Sequence, residues 1–462
     1  MKRDLIAVLD VGKTNARIAF VDSRSGEEIW RAQRAGASIT TPLGRELNVA
    51  SIEQWLLAEL GGAPQRERVA AIVPVAHGAA AVLVDAAGRV VAAPDYEDSQ
   101  FNDYEAEYLR ARDAFTATLS PALPLGLNLG RQLFCLERHH PQALAAAAHV
   151  LLYPQYWAWR LSGVMASEVT SLGCHTDLWL PRERAFSQLA RDHDWVRLFP
   201  PLRAASDALG HITRELASAT GLPGDCRVAC GIHDSNASYL QHRLGRPPAA
   251  PFCVISSGTW TIVMASAADP SRLRAERDML ANVDAFGDIV ATARFMGGRE
   301  FEAIAPVPVC PDESNLISVL GQQAFAVPAF ARGGPYAAHQ GRLIHADRLS
   351  DAERSALATL YTTLMTELLL EDLDARGDIV IDGPLATNAI YARLLAALRP
   401  QSQVLKRPAH VDVRALCHLA GVQLPEAPLP IRVEPWRPVG LDTYRAAWRG
   451  RLPRTTTVPE AE

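Results

Sequence analysis

A short pattern of residues occurs twice in this chain, about half a chain apart. Residues 5–22 read LIAVLDVGKTNARIAFVD, and residues 253–265 read CVISSGTWTIVMA. In each segment an apolar run leads into a glycine-centred polar turn and then a second apolar or alternating run, which predicts a β-hairpin on a buried sheet. Gly12 and Gly258 occupy matching places in the two turns. Two such turns facing one another across a cleft would present backbone N–H groups to phosphate from both sides, which favours a two-lobed phosphotransferase.

Length and charge limit the remaining function classes. At 462 residues the chain exceeds what one hydrophobic core normally serves, so we expect two domains. A formal charge of -5 gives no overall basic field, so neither nucleic acid nor an anionic membrane is an expected partner. A phosphate site must then be built locally, from backbone dipoles and a few cations. Lysine occurs only at positions 2, 13 and 406, which draws attention to Lys13 inside the first turn.

The N-terminal segment and the cysteines favour a cytoplasmic protein. The apolar stretch between Asp4 and Asp10 is too short for the core of a signal peptide and fits a strand, and no segment approaches the length of a membrane span. The seven cysteines are scattered, and no second Cys or His pair accompanies Cys226 and Cys230 to complete a zinc site. We interpret all seven as small core residues.

Strand and helix signals alternate along the chain, which indicates an α/β fold. The pattern predicts strands at 69–75 and 378–382 and helices at 51–60, 352–373 and 388–398, with Ser51 as an N-cap. Residues 101–220 are expected to be mostly helical. The proline-rich segment HRLGRPPAAPF at 242–252 marks a domain boundary. We therefore expect an N-terminal lobe at 1–243, a C-terminal lobe at 244–450 and a disordered tail at 451–462.

With both hairpins placed, the chain resembles the FGGY family of carbohydrate kinases over nearly its whole length. The segments that carry the resemblance are DVGKTNAR at 10–17, VAHG at 75–78, YEDS at 96–99, LLYPQY at 151–156, EVTS at 168–171, GIHDSNA at 231–237 and SSGTW at 256–260. A histidine directly before the aspartate of GIHD, together with SSGTW, is most similar to the rhamnulose and fuculose kinase branch. The resemblance implies a two-lobed actin-like, ribonuclease H-like ATPase fold with an ATP cleft between the lobes, and both ATP and Mg²⁺ as cofactors.

Three departures from the family pattern concern the nucleotide more than the sugar. Lys13 stands where a small residue is usual, the adenosine-site glycines are reduced to Asp382-Gly383-Pro384, and the late glycine- and alanine-rich helix is replaced by residues 412–417. Gln100 also stands near a position where the family often has arginine.

Asp234 and Asp10 are the carboxylates expected to carry the chemistry. Phosphoryl transfer needs in-line placement of the reactants, neutralisation of phosphate charge and removal of the acceptor's proton. The resemblance gives the last task to Asp234 as general base, and the alternative is an N-cap for a helix beginning at Ser235. Asp10, at the end of a buried strand, would reach Mg²⁺ directly or through water, or else bond its own backbone in the turn.

The remaining candidate residues fall into two groups. For ATP they are Gly12, Lys13, Thr14, Asn15 and Arg17 in the first turn, with Gly258, Thr259, Gly298, Gly383 and Asn388 in the second half. For the sugar they are His77, Gly78, Tyr96, Asp98 and His233. Lys13 either supplies a point charge to the γ-phosphate or points to solvent. The turn at Gly258 and Thr259 is either a phosphate cradle or a simple tight hairpin turn.

The leading hypothesis is an ATP- and Mg²⁺-dependent kinase that phosphorylates a primary hydroxyl of a small sugar, a ketose or 6-deoxyketose. The alternative is a sugar-binding pseudokinase with impaired ATP use, motivated by the altered adenosine segment. A chaperone-like ATPase is disfavoured because no peptide-binding β domain follows the second lobe. The sequence leaves the identity of the sugar and the oligomeric state open, with a homodimer as one option.

Overall fold

The computed structural model describes residues 3–248, 250–406, 413–423 and 430–453. These residues form two compact units. The first unit contains the described residues within 1–245, 281–289 and 410–427, and the second contains those within 246–280, 290–409 and 428–462. Among the helices of these ranges, none has both the length and the hydropathy needed to cross a bilayer.

The first unit is organised around a sheet whose central strands are buried. Leu5–Val11 pairs antiparallel with Asn15–Asp22, which confirms the first hairpin, and parallel with Val69–Ala76. Val69–Ala76 also pairs in parallel with Arg227–Ala229 and Ile232–His233. These strands are apolar along most of their length because both faces of a parallel sheet are covered. The carboxyl ends of three of them, at residues 11, 76 and 233, therefore lie at one edge of the sheet.

Other strands and helices of the first unit surround this sheet. Its further strands are Glu28–Ala35, Ser38–Thr41, Gly44–Leu47, Ala81–Val84, Val90–Ala92, His149–Leu152, Trp179–Leu180, Ala185–Phe186 and Ala208–His211. Its helices are Val49–Gly62, Glu105–Ala111, Phe115–Thr118, Leu129–His139, Pro141–Ala146, Tyr153–Ser162, Val169–Leu172, Gln188–Asp192, Arg214–Thr220, Asp234–Arg243 and Val413–Ala420. The last helix packs its apolar face against the main sheet, through buried contacts that include Val413 and Cys417.

The second unit repeats the same strand arrangement. Phe252–Ser257 pairs antiparallel with Thr261–Ala265, as predicted, and parallel with Asp378–Asp382. Ile289–Phe295 extends the sheet on one side and Val404–Lys406 on the other. The remaining strands are Met279–Val283, at a change of unit, Phe325–Val327, Arg342–Ile344 and Ile431–Arg432, and the helices are Gly297–Ile304, Glu313–Gln322, Asp351–Asp372, Ala389–Leu398 and Leu441–Arg449.

Two sequence-based expectations about helices need correction. Ser51 is not an N-cap, because the helix begins at Val49 and the side chain of Asn48 accepts a hydrogen bond from the Ser51 N–H. The stretch 101–220 is less helical than predicted, since its helices are separated by turns and by short strands such as His149–Leu152. That strand is a buried apolar run paired with Ala81–Val84, and a short run of this kind has no periodicity that separates strand from helix.

The cysteine interpretation holds for six residues and is wrong for one. Six of the seven side chains are buried, whereas Cys310 is exposed. Within the four described ranges, no cluster of three or more His, Cys, Asp or Glu side chains has the geometry of a metal site. Most of the tail for which we predict disorder, residues 454–462, and Asp412 in the departure at 412–417 lie outside the described residues.

Candidate active site

The edge of the first sheet gathers four of the polar residues that the sequence singled out in this unit: Asp10, His77, His233 and Asp234. Asp10 is the penultimate residue of its strand, and in the neighbouring strand its Cα partner is Val75. His77 follows that neighbouring strand and donates its backbone N–H to the carbonyl of Val11 at 3.2 Å. His233 pairs with Ala76 from the other side, and Asp234 follows it. Ligands of open α/β sheets bind at this carboxyl edge of the parallel strands.

Asp234 is the first residue of a helix, not its N-cap. The helix runs from Asp234 to Arg243 and His233 occupies the N-cap position, so the N-cap alternative is wrong. The Asp234 side chain is 42% exposed, which leaves its carboxylate open to a reactant. Its Oδ1 accepts hydrogen bonds from the Ser235 N–H at 2.5 Å and the Ser235 hydroxyl at 3.2 Å. A carboxylate in the first turn is also stabilised by the positive end of the helix dipole.

His233 is a buried partner of Asp234. Its Nε2 lies 3.1 Å from Asp234 Oδ1, and its Nδ1 lies 3.2 Å from the side-chain nitrogen of Asn236. Burial by itself lowers the pKa of His233, but the neighbouring Cys174 and Asp234 raise it to about 9. With a pKa of about 9 the imidazole carries positive charge at neutral pH. Because His233 is only 5% exposed, that charge reaches the carboxylate from the interior of the protein.

Glu168 supports the backbone behind these residues. Its Oε2 accepts hydrogen bonds from the Thr170 N–H at 2.9 Å and the Thr170 hydroxyl at 2.5 Å. The same hydroxyl accepts the backbone N–H of His233 at 3.1 Å, which ties the segment EVTS at 168–171 to the start of the Asp234 helix. Burial raises the pKa of Glu168 to about 7.

His77 and Gly78 lie against His233. Nδ1 of His77 donates to the Gly78 carbonyl at 2.8 Å, which leaves Nε2 as a buried acceptor with no partner among the residues that the structure describes. Burial lowers the pKa of His77, so the ring is neutral. A Cβ on Gly78 would stand 2.9 Å from His233 Nε2, and the glycine therefore allows the second imidazole to come close.

Tyr96 and Asp98 differ in how they relate to this edge. The Tyr96 ring meets the His77 ring edge-on, with centroids 5.8 Å apart. Burial, with the nearby charges of Glu97, Asp95 and Asp234, raises the pKa of Tyr96 to about 12, so it remains a neutral hydroxyl donor. The Asp98 carboxylate instead accepts hydrogen bonds from the Gln100 N–H at 3.0 Å and Gln100 side-chain nitrogen at 2.9 Å. Its Oδ2 also accepts the Arg45 N–H, so its observed contacts hold its own turn and join it to the strand Gly44–Leu47, and its role in sugar binding stays a prediction.

The first turn is closed by backbone hydrogen bonds. Gly12 donates to the Asn15 carbonyl at 2.9 Å, and Thr14 and Asn15 are exposed at the tip. Gly36, which the sequence did not single out, donates to the Thr14 carbonyl at 2.7 Å, and a Cβ there would fall 2.2 Å from the Lys13 carbonyl oxygen. Arg17 forms an ion pair with Glu28.

Lys13 does not point to solvent. Its side chain is 15% exposed and forms an ion pair with Asp95, whose side chain is fully buried, and a second with Glu97 at 3.3 Å. The sequence offered no signal for Asp95 beyond its place next to Tyr96. The role of Lys13 at the γ-phosphate stays a prediction, and the observed partners of its ammonium are carboxylates.

The electrostatics of Asp10 fit a cation. Burial and the neighbouring charge of Asp234 raise the pKa of Asp10 to about 6, and Arg17 lowers it. A Mg²⁺ ion usually takes one or two carboxylates and completes its shell with water and substrate phosphates. Asp10 is a donor of that kind, in a position where a positive charge would relieve repulsion between carboxylates.

In the second unit two glycines, Gly298 and Gly383, allow the backbone to approach the end of the first hairpin strand and its turn. The Gly258 N–H donates to the Trp260 carbonyl at 2.9 Å, and the Gly298 N–H donates to the Thr259 carbonyl at 3.2 Å. A Cβ on Gly298 would lie 2.4 Å from the Gly258 carbonyl oxygen, and one on Gly383 would lie 2.2 Å from that of Ser257. The backbone N–H groups of Gly258 and Gly298 are therefore used to hold the turn. Thr259 is the exposed polar residue at its tip.

Asn388 has a structural role at the next helix. Its Oδ1 accepts the Tyr391 N–H at 3.0 Å as an N-cap of Ala389–Leu398, and its Nδ2 donates to the Thr359 hydroxyl at 3.0 Å. Ser257 links this region to the hairpin, because its hydroxyl donates to the Asp382 carbonyl at 2.7 Å and accepts the Leu385 N–H at 3.0 Å. Adenosine contact by Gly383 and Asn388 stays a prediction.

Comparison with known proteins identifies the family. Residues 249–427 match the family model described as "Carbohydrate kinase FGGY, C-terminal domain". A crystal structure described as a carbohydrate kinase from Novosphingobium aromaticivorans is 36% identical over 97% of this chain and 98% of that one, with a TM-score of 0.88. This chain belongs to the FGGY family of carbohydrate kinases.

More distant relatives agree with this family and show the fold. L-fuculokinase of Salmonella typhi is 28% identical over 280 residues, which cover 57% of this chain and 57% of that protein. A rhamnulokinase of Bacteroides thetaiotaomicron is 28% identical over 173 residues, or 36% of this chain and 33% of that one. A glycerol kinase of Plasmodium falciparum, solved with ADP, is 10% identical with a TM-score of 0.71 over 97% of this chain and 93% of that one. The fold is thus the actin-like α/β fold of sugar kinases.

Proposed function

We propose that this chain is an ATP- and Mg²⁺-dependent kinase that transfers the γ-phosphate to a primary hydroxyl of a small sugar, a ketose or 6-deoxyketose, with Asp234 as general base. The observation that carries the proposal is the placement of Asp234, an accessible carboxylate at a helix start beside His77 and His233. Membership of the FGGY family supports a sugar acceptor. The fuculokinase and rhamnulokinase relatives favour the ketose class.

The candidate site residues of the first unit each have a role in this proposal. His77, through its buried Nε2 acceptor, and Tyr96, through its hydroxyl donor, hold hydroxyls of the sugar. Asp234 accepts the proton of the attacking hydroxyl, and His233, whose Nε2 lies 3.1 Å from Asp234 Oδ1, orients the carboxylate before transfer. Such general-base assistance is worth roughly 10²–10⁴ in rate. The exposed turn at Thr14 and Asn15 contacts phosphate.

Asp10 would hold Mg²⁺ and the second unit would hold the nucleotide. When bound, the ion neutralises charge on the phosphate oxygens. Asp10 contributes one carboxylate, and with a pKa raised to about 6 it is half ionised at that pH and becomes mostly ionised as the pH rises further. The tip at Thr259, fixed by the close approach of Gly298, would contact phosphate, and the strand-to-helix segment at Gly383 would lie near adenosine.

The test is an ADP-release assay with Mg-ATP against a panel of ketoses, 6-deoxyketoses, polyols and sugar acids. In Asp234→Asn we expect kcat to fall by roughly 10²–10⁴, with sugar affinity, measured by calorimetry, close to wild type. The control is Asp194→Asn, an exposed carboxylate paired only with Arg197 in the described contacts. Near-normal turnover in Asp234→Asn would show that another group is the base.

The same assay separates a kinase from a sugar-binding pseudokinase. Each polar atom of the Asn388 amide already has a protein partner in the described residues, which favours that second candidate because only one N–H and one oxygen lone pair remain for the nucleotide. Silence across the panel, with no Mg-ATP shift in melting temperature, would support the pseudokinase. Turnover of one sugar well above background would exclude it.

A further inference from the structure

Lys13 has an unusual environment for a residue of a phosphate-binding turn. It is one of three lysines in a chain that otherwise relies on arginine for permanent positive charge, and the FGGY resemblance leads us to expect a small side chain at this position. Its ammonium is drawn away from the exposed tip at Thr14 and Asn15 toward the segment Asp95–Glu97. The chain separates these partners by 82 residues, so the pairing is a tertiary contact of the fold.

Asp95 is a permanent anion that fixes the position of the ammonium. Its carboxylate is fully buried, and it accepts hydrogen bonds from the Ser38 hydroxyl at 2.6 Å, Arg45 Nε at 2.7 Å and the Glu97 N–H at 3.1 Å. Burial opposes ionisation, but the hydrogen bonds from Lys13, Ser38 and Arg45 hold the pKa of Asp95 well below its usual range. Removing the Lys13 charge would leave a buried anion short of one partner.

The same ammonium lies over the ring of Tyr96. Lys13 Nζ is 5.0 Å from the ring centroid, a cation–π distance, and the ring meets the His77 imidazole edge-on. Lys13 also contributes to the environment of His77, because its charge adds to burial in lowering the pKa of that ring. By contrast, the cation that lowers the pKa of Asp10 is Arg17. The influence of Lys13 is thus directed at the two residues assigned to the sugar.

We propose that Lys13 is a positioning residue of the sugar site, which, held by Asp95, fixes the Tyr96 ring beside His77 and does not bind the γ-phosphate. The inference rests on the proposed function, since it takes Tyr96 and His77 as the residues that contact the sugar. It reverses the role that the position of Lys13 in the turn suggests, and it explains why a long cationic side chain replaces a small one there.

The experiment separates the apparent affinities for the two substrates. Lys13→Met removes the charge at similar length, Lys13→Thr installs a small side chain, and Asp95→Asn weakens the pair from the other side. We expect each variant to raise the KM for the sugar on the order of 10-fold, with the KM for Mg-ATP unchanged, because a misplaced contact residue acts only on the substrate it holds. The double variant Lys13→Met with Asp95→Asn should raise the KM for the sugar no more than the more severe of the two single variants does, since both substitutions remove the same interaction.

The matched control is an ion pair of similar burial elsewhere in the first unit. Arg112 and Asp177 have side chains 10% and 0% exposed, against 15% and 0% for Lys13 and Asp95. Arg112→Met should lower the melting temperature as Lys13→Met does, yet leave the sugar KM unchanged. If Arg112→Met raised the sugar KM equally, the effect of Lys13 would be general destabilisation and the proposal would fail.

Two further outcomes would overturn the inference, and both differ from failure of the proposed function. A Lys13→Met variant with a raised KM for Mg-ATP and an unchanged sugar KM would make Lys13 a phosphate ligand. No change in either constant would leave it without a role. If the wild type has no turnover, the kinase proposal fails but the proposal for Lys13 can still be tested. Calorimetric titration with the sugar that most raises the wild-type melting temperature then measures whether Lys13→Met weakens sugar binding. A wild type that binds no sugar overturns both.

Discussion

Gly298 offers a quantitative test of how the second unit shapes its turn. In Gly298→Ala the new Cβ would lie 2.4 Å from the Gly258 carbonyl oxygen, a backbone atom that has no rotamer to escape into. The contact must open by at least about 0.6 Å, and overpacking of this kind costs about 1–3 kcal/mol. Alanine also gains up to about 1 kcal/mol over glycine inside a helix, which partly conceals the clash.

Gly321→Ala is the control that removes this ambiguity. Gly321 lies in the helix Glu313–Gln322, and a Cβ there meets nothing within 4 Å. Both variants share the helical gain, so the difference between their free energies of unfolding isolates the clash, and we expect Gly298→Ala to be less stable by about 1–3 kcal/mol in urea denaturation.

The functional consequence should be selective for the nucleotide. A shift of at least about 0.6 Å at the Gly258–Thr259 tip should lower kcat/KM for Mg-ATP by roughly 10–100-fold, since a misplacement of about 1 Å can cost about 100-fold. The KM for the sugar should stay unchanged, because the sugar residues lie in the first unit. If Gly298→Ala matched Gly321→Ala in both stability and ATP kinetics, the close approach of this helix to the turn would have no bearing on phosphate binding.

Two further substitutions test buried and capping groups. Glu168→Gln should remove a pH dependence of the free energy of unfolding. Burial raises the pKa of Glu168 in the native state to about 7 from 4.5, so between these values the native state keeps a proton that the unfolded chain releases. The free energy of unfolding of the wild type, measured by denaturation at each pH, should therefore fall by about 2 kcal/mol relative to that of the variant between pH 5 and 8. The same pH trend in both proteins, or a rise in the wild type relative to the variant, would contradict this prediction. Asn388→Ala should cost about 1–2 kcal/mol of stability through its lost cap, whereas Asn388→Ser, which keeps a capping oxygen, should cost less. A selective loss of ATP affinity by calorimetry in Asn388→Ser, at unchanged stability, would show that the amide contacts adenosine.

Local signals in the sequence predicted much of the fold. Both hairpins were predictable, because an apolar run of strand length bounded by turn residues has one interpretation when its partner run follows directly. The strand Asp378–Asp382 was predictable from its short apolar run, although its partner Phe252–Ser257 lies far earlier in the chain. The start of the first helix was predicted two residues late, since Asn48 and Ser51 are both good caps and only the structure shows which side chain accepts the hydrogen bond. The segments within 281–289 and 410–427 that join the first unit carry no local mark of that association.

The same distinction between local and long-range information applies to the residues of the site. Asp10, His77 and Asp234 were predictable because each lies at the end of a buried strand or directly after one, and parallel strands bring their carboxyl ends to one edge whatever the side chains do. The partner of Lys13 was not, because Asp95 lies outside any strand end and its selection depends on the hydrogen bonds of Ser38 and Arg45 as much as on Lys13. Backbone topology therefore determines which residues reach the site, and long-range side-chain pairing determines what each of them can still bind. For Lys13 the pairing opposes the role suggested by the turn, so the KM measurements on Lys13→Met test which of the two levels governs function.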